Sequence, residues 1–199
     1  MKEGAIKFNC KWIKGKPVSK EKTEKLNLWR NKLFELKLIG AYSDGTGYGN
    51  ISKRSSENKF IITGSGTGKI KKLTKEHYCE VTEFNFKENS LGCVGPLKAS
   101  SESLTHAAIY KSLPEINAVI HVHNLKLWKY LLNRVPAAKE EAEYGTPEIA
   151  EEMIRLLKEE NTKEKKIIVL KGHKKGVISF AETLDKAGKI MLKYFEESE

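Results

Sequence analysis

The run Ala118-Val119-Ile120-His121-Val122-His123 constrains this chain more than any other stretch. Apolar, β-branched residues leading into a His-x-His pair read as a buried strand that ends in two imidazoles. Side chains alternate along a strand, so His121 and His123 share one face while Val122 turns into packing on the other. Two imidazoles on one face are half of a zinc site, because catalytic zinc commonly takes three protein ligands and keeps a fourth position for water or substrate. On spacing alone, a pair of solvated or core-bonded histidines at a strand end fits as well. The only later histidine is His173, which follows the apolar strand Lys166-Ile167-Ile168-Val169-Leu170 and is the obvious third ligand.

Composition narrows the class. A chain of 199 residues fits one domain, or a domain with a short extension. We expect an extension over residues 1–18 and a single domain over 19–199. With 36 Lys and Arg against 26 Asp and Glu, the net charge is +10, which favours anionic partners. Phosphorylated metabolites and nucleic acids both qualify. The basic residues are spread thinly, with no run of five or six, so nucleic acid is disfavoured. Cys10, Cys79 and Cys93 are widely spaced, with no C-x-x-C, and read as thiols of a reducing compartment. No signal-like start and no apolar run near membrane length is present, so the expected location is cytoplasmic, without membrane contact.

In chain order, Ala5-Ile6-Lys7-Phe8 and Lys11-Trp12-Ile13 suggest an irregular or hairpin extension without chemistry of its own. From Ser19 as N-cap, Leu26, Trp29, Leu33, Leu36 and Ile39 follow a helical period, with Gly40 as the stop. Two glycine-rich loops come next, over residues 43–52 and 64–69. Glycines let backbone approach a ligand and point N–H groups at an anion, although neither loop matches a nucleotide fingerprint. Residues 78–86 and 91–94 read as strands. A helix then begins near Ser100 or Ser101 as N-cap, with Glu102 in its first turn. Hydroxyls and a carboxylate there are common capping chemistry; they also suit an anion site. A short helix is expected over 125–132, another from Thr146-Pro147, a hairpin partner at Val177-Ile178-Ser179-Phe180, and a final helix capped by Thr183.

Taken together, Gly49-Asn50-Ile51-Ser52, Ile61-Ile62-Thr63-Gly64-Ser65-Gly66, Ser100-Ser101-Glu102 with His106 and Tyr110, the His121-Val122-His123 strand and His173 resemble the ordered motifs of the class II aldolase/adducin family. That family includes sugar-phosphate aldolases, a sugar-phosphate 4-epimerase, a methylthioribulose-phosphate dehydratase and the non-enzymatic head of adducin. The resemblance implies a three-layer α/β/α fold with a central, mainly antiparallel sheet, and a homotetramer with active sites between subunits. It implies that His121, His123 and His173 bind a divalent metal, most simply zinc, and that Glu102 completes the resting site or acts as acid and base. It assigns Asn50, Ser65, Gly66, Ser100 and Ser101 to the substrate phosphate. His106 falls outside that set and is expected to be a structural hydrogen-bonding residue.

The implied reaction is metal-dependent aldol cleavage of a phosphorylated ketose to dihydroxyacetone phosphate and an aldehyde, through an enediolate that the metal stabilises. Retained glutamate at 102 favours aldolase over epimerase. Epimerase, dehydratase and a non-catalytic adducin-like binding module are the alternatives. The segment between His123 and Thr146 is short for the family, leaving Tyr144 or Tyr194 to supply the aromatic proton relay. His173 is followed by two lysines before Gly176, where the family usually has glycine at once.

Overall fold

The structure, a computed structural model, describes residues 5–199. Its strands are β1 (Asn9–Lys14), β2 (Gly40–Ala41), β3 (Gly47–Tyr48), β4 (Asn50–Ser56), β5 (Lys59–Thr63), β6 (Tyr78–Asn85), β7 (Ser90–Gly95), β8 (Ala118–His123), β9 (Ala137–Ala138), β10 (Ile167–Leu170) and β11 (Gly176–Ala181). Its helices are α1 (Lys20–Glu35), α2 (Ser103–Ser112), α3 (Leu125–Leu131), α4 (Pro147–Leu156), α5 (Glu160–Lys165) and α6 (Leu184–Glu197). Nine strands form one sheet in the order β1-β7-β6-β5-β4-β8-β11-β10-β9, and β2 pairs with β3 separately. Among the described residues, only the outermost pairs, β1 with β7 and β9 with β10, are parallel.

The histidine strand β8 lies inside this sheet, between β4 and β11, and all six of its residues are buried. Its alternation sorts the two layers. Ala118, Ile120 and Val122 pack with Leu26 and Leu33 of α1, Leu127 of α3, and Leu184 and Met191 of α6. Val119 packs on the other face with Leu104 and Ala108 of α2 and Ile149 and Met153 of α4. His121 and His123 therefore project into the α2/α4 side, and Val122 into packing, as the period of two requires. The α/β/α class and the mainly antiparallel sheet are as expected.

Three local readings need correction. The N-terminal stretch contains one strand instead of a hairpin: Asn9–Lys14 runs parallel to β7, and Phe8 and Trp12 pack in the α2/α4 core. The open edge of β7 and that core hold the segment, so no return strand is required. Residues 1–4 of the expected extension lie outside the described residues. Helix α1 ends at Glu35, short of Gly40. There Lys37 takes φ 57°, its N–H bonds Phe34 O, and the N–H of Leu38 bonds Leu33 O. This is a Schellman end closed by a Leu33–Leu38 pair with lysine in the position glycine usually fills, so the apolar period runs past the helix. Helix α2 starts at Ser103, with Glu102 as its N-cap residue and no side-chain cap, so neither Ser100 nor Ser101 caps it and Glu102 is not in its first turn. Thr146 is the N-cap residue of α4 with Pro147 at its start, as expected, although its hydroxyl donates to Glu143 O and caps no helix N–H. Thr183 caps α6 through Lys186 N, as expected. Helix α5 and the β2–β3 pair were not anticipated.

Candidate functional site

Strand β8 delivers His121 and His123, and the turn after β10 delivers His173. The chain leaving β7 passes β5 through a Gly64–Ala99 bridge and enters α2, placing Glu102 at the same point. Glu102 sits between two imidazoles: one carboxylate oxygen lies 3.1 Å from His121 Nδ1 and the other 3.1 Å from His173 Nδ1. Each of the four residues offers a ligating atom, and these atoms all lie within 4.8 Å of one another. All four are buried. Glu102 leaves its helix uncapped because its carboxylate is turned to the histidines.

The electrostatics suit a cation. Burial opposes ionisation of Glu102, and the neighbouring His121 and His173 overcome it, holding the carboxyl down at about 2. Burial likewise drives His121 well below its usual range, against the pull of Glu102. Around neutral pH the set thus holds an ionised carboxylate beside a neutral imidazole, the forms that ligate metals. His121 Nε2 is buried without a hydrogen-bond partner, next to Gly176, where a Cβ would lie 3.1 Å from it. Three imidazoles and a carboxylate whose donor atoms converge, with one imidazole nitrogen orphaned, fit a divalent ion, and the site supports that class without choosing its member.

Glu102, His123 and His173 open onto a cleft, with His121 buried behind them. Asn50, Ser65, Gly66, Ser100 and Ser101, the residues expected at a phosphate, line it together with Glu102, His123 and His173. Register explains the meeting. Asn50 is the cross-strand partner of His121, and its Nδ2 lies 3.3 Å from His121 Nδ1. Ser65 N–H donates to Lys98 O, fastening the second glycine loop to the segment that carries Ser100 and Ser101. The two glycine loops touch backbone to backbone at Gly68, where a Cβ would fall 2.7 Å from Gly47 Cα. Arg30 of α1, fully buried, donates to Thr67 O, Gly68 O and Lys71 O and pins that loop from beneath.

Sequence reasoning missed Arg30, Tyr42 and Tyr48. Tyr42 Oη lies 2.8 Å from His123 Nδ1, and the Tyr48 ring stacks on His123 at 5.6 Å and 17°. Of the two tyrosines left open for the segment after His123, Tyr144 reaches the cluster, stacking on His173 at 4.8 Å and 29°. Tyr194 packs with the α1/α3/α6 layer on the opposite face. Lys7 Nζ stands 4.0 Å over the Tyr144 ring and bonds Glu143, so the N-terminal stretch abuts the site. His106 is a hydrogen-bonding core residue, with Nδ1 2.7 Å from Ser52 Oγ. The only signal for Tyr42 and Tyr48 was the aromatic content of the loop around 42–48, which carries no pairing information.

Comparison with known proteins decides the family. Residues 40–198 match the Class II Aldolase and Adducin N-terminal domain. The chain belongs to that family. A 3-oxo-tetronate 4-phosphate decarboxylase of Haemophilus influenzae is 32% identical over 81 residues, 41% of this chain and 35% of that protein. A methylthioribulose-1-phosphate dehydratase of Xylella fastidiosa is 36% identical over 76 residues, 38% of this chain and 32% of that protein. The chain spans about a third of the length of these curated relatives. Among solved structures, an L-fuculose 1-phosphate aldolase has a TM-score of 0.66 at 22% identity, covering 92% of this chain and 84% of that one. That likeness is one of fold. Among the described residues, no helix is long and apolar enough to cross a membrane.

Proposed function

We propose that this class II aldolase family member is a metal-dependent aldolase that cleaves or forms a phosphorylated ketose, with dihydroxyacetone phosphate and an aldehyde as the other partners. The observation that carries the reading is that the three-histidine, one-glutamate cluster and the hydroxyl- and glycine-lined rim share one cleft. A divalent ion there, taken to be zinc, would be held by His121, His123 and His173 and would supply Lewis-acid polarisation of the ketose carbonyl and its adjacent hydroxyl. On cleavage the Glu102 carboxylate accepts the proton of the hydroxyl whose oxygen becomes the aldehyde and returns it to the carbon left by the broken bond; condensation runs the two transfers in reverse. Asn50, Ser65, Ser100 and Ser101, with the backbone at Gly66, anchor the phosphate at the rim through neutral donors. Holding the phosphate away from the reacting carbons fixes the sugar's orientation, which lowers the barrier. The assembly is taken to be a homotetramer, testable by light scattering.

The test offers the metal-loaded protein fuculose and rhamnulose 1-phosphates, ribulose phosphate and methylthioribulose 1-phosphate in parallel. Aldolase activity gives dihydroxyacetone phosphate from the first pair, detected by coupled reduction. Turnover of only the last two overturns it. Dehydration is the second reading, favoured by the 36% identity to a methylthioribulose-1-phosphate dehydratase. It predicts loss of water from that substrate and no dihydroxyacetone phosphate. A non-catalytic, adducin-like module predicts no bound divalent ion and no change on His121→Ala.

A further inference from the structure

His121 and His173 both turn Nδ1 toward Glu102, whereas His123 turns its Nδ1 to the Tyr42 hydroxyl, 2.8 Å away. From this geometry we infer that Tyr42 is a positioning residue that fixes the ring orientation and the ligating tautomer of His123. The inference rests on the metal-site reading above. An imidazole can give its Nε2 lone pair to a metal only if the remaining proton sits on Nδ1, and that N–H needs an acceptor when buried. The phenol oxygen of Tyr42 supplies the acceptor. The opposite arrangement, with Tyr42 donating to Nδ1, would leave a proton on Nε2 and remove His123 from the ligand set.

The tyrosine is itself held in place. It begins the turn between β2 and β3, with its N–H bonded to Thr46 O and its carbonyl accepting from Gly45 N–H. Its ring packs on Tyr48 at 4.6 Å, and Tyr48 in turn covers the His123 ring. Lys175 Nζ stands 4.6 Å from the centre of the Tyr42 ring, a cation–π contact. Lys175 belongs to the turn that carries His173, so the tyrosine clamping one ligand is gripped by the loop that presents another. Tyr42 does not line the cleft, whereas Tyr48 does. The Tyr42 hydroxyl meets the site through His123 Nδ1. This also gives a role to one of the two lysines that separate His173 from Gly176.

Tyr42→Phe isolates the point, because it keeps the ring, and with it the Tyr48 and Lys175 contacts, and removes only the hydroxyl. The full chain is loaded with Co²⁺ or Zn²⁺, and affinity is measured by chelator competition. Outer-shell partners of ligating histidines typically contribute about 10- to 100-fold in affinity, so weakening of that order is expected. The visible absorption of the Co²⁺ form should shift as well. Tyr130→Phe, which removes a hydroxyl bonded to Glu197 on the surface, serves as the control and should leave both readouts unchanged. Equal affinity and an identical Co²⁺ spectrum in Tyr42→Phe and the parent would overturn the inference while leaving the metal site intact. Equal weakening in the Tyr130 control would also overturn it, by showing a general effect of losing a tyrosine hydroxyl. A parent protein that binds neither ion overturns the metal-site reading and the inference together.

Discussion

Two buried histidine environments lie on the α2 side of the sheet, and they do opposite things. His121 belongs to a convergent set, with Glu102, His123 and His173 aimed at one volume at the bottom of a cleft. His106, one helical turn beyond Glu102, belongs to a chain of hydroxyls: its Nδ1 meets Ser52, whose Oγ lies 2.8 Å from Tyr110 Oη. Both histidines are fully buried, and burial lowers the pKa of both. Burial and perturbed titration therefore do not distinguish a ligand from a core residue. What distinguishes them is convergence of further donors, including a carboxylate that balances the charge of a cation.

The largest effect should come from breaking the convergent set. His121→Ala or His173→Ala is expected to abolish stoichiometric metal binding and bring turnover to background, read by elemental analysis and a product assay on the same preparation. Retained metal in either variant would erase the contrast with His106. Next in size is Glu102→Gln, which keeps the shape of the side chain and removes its charge and proton. A fall of about 10²- to 10⁴-fold in kcat is expected, the usual contribution of a positioned acid or base.

The hydroxyl chain should respond in stability alone. His106→Leu leaves the Ser52 and Tyr110 hydroxyls without their imidazole and should cost about 1–3 kcal/mol in denaturant unfolding, with metal content unchanged. Loss of metal from that variant would merge the two environments into one. The same histidine also sets a pH dependence, read as a slope. Burial holds His106 down to about 3 in the native protein. The unfolded chain binds this proton from about pH 6.5 downward, whereas the native state does not. The contribution to stability is thus full above about pH 6.5 and falls by roughly 1.4 kcal/mol per pH unit as pH drops toward 3. His106→Asn should flatten the slope of unfolding free energy against pH by one proton over that window. An unchanged slope would mean that His106 titrates normally.

Legibility in the sequence followed locality. The β8 strand, the shared face of its histidines, the Thr183 cap and the β10–β11 hairpin were readable because each depends on period, caps or turns within a few residues. The end of α1 was misread because Lys37 fills a position where glycine is the usual signal. The N-terminal stretch was misread because its partner, β7, lies some eighty residues away. The cleft rim was readable only through family resemblance, since glycines and serines at loop ends carry no pairing information.

By itself, the sequence determined the central strand, the ligand types and the order in which they occur, because alternation and composition are properties of neighbouring residues. Only the tertiary structure decided that Glu102 bridges His121 and His173, that Tyr42 holds His123, and that Arg30 pins the second glycine loop. Those contacts join residues separated by some 20 to 80 positions. They exist only after the sheet order has set which strands and turns are neighbours, and no local pattern encodes that.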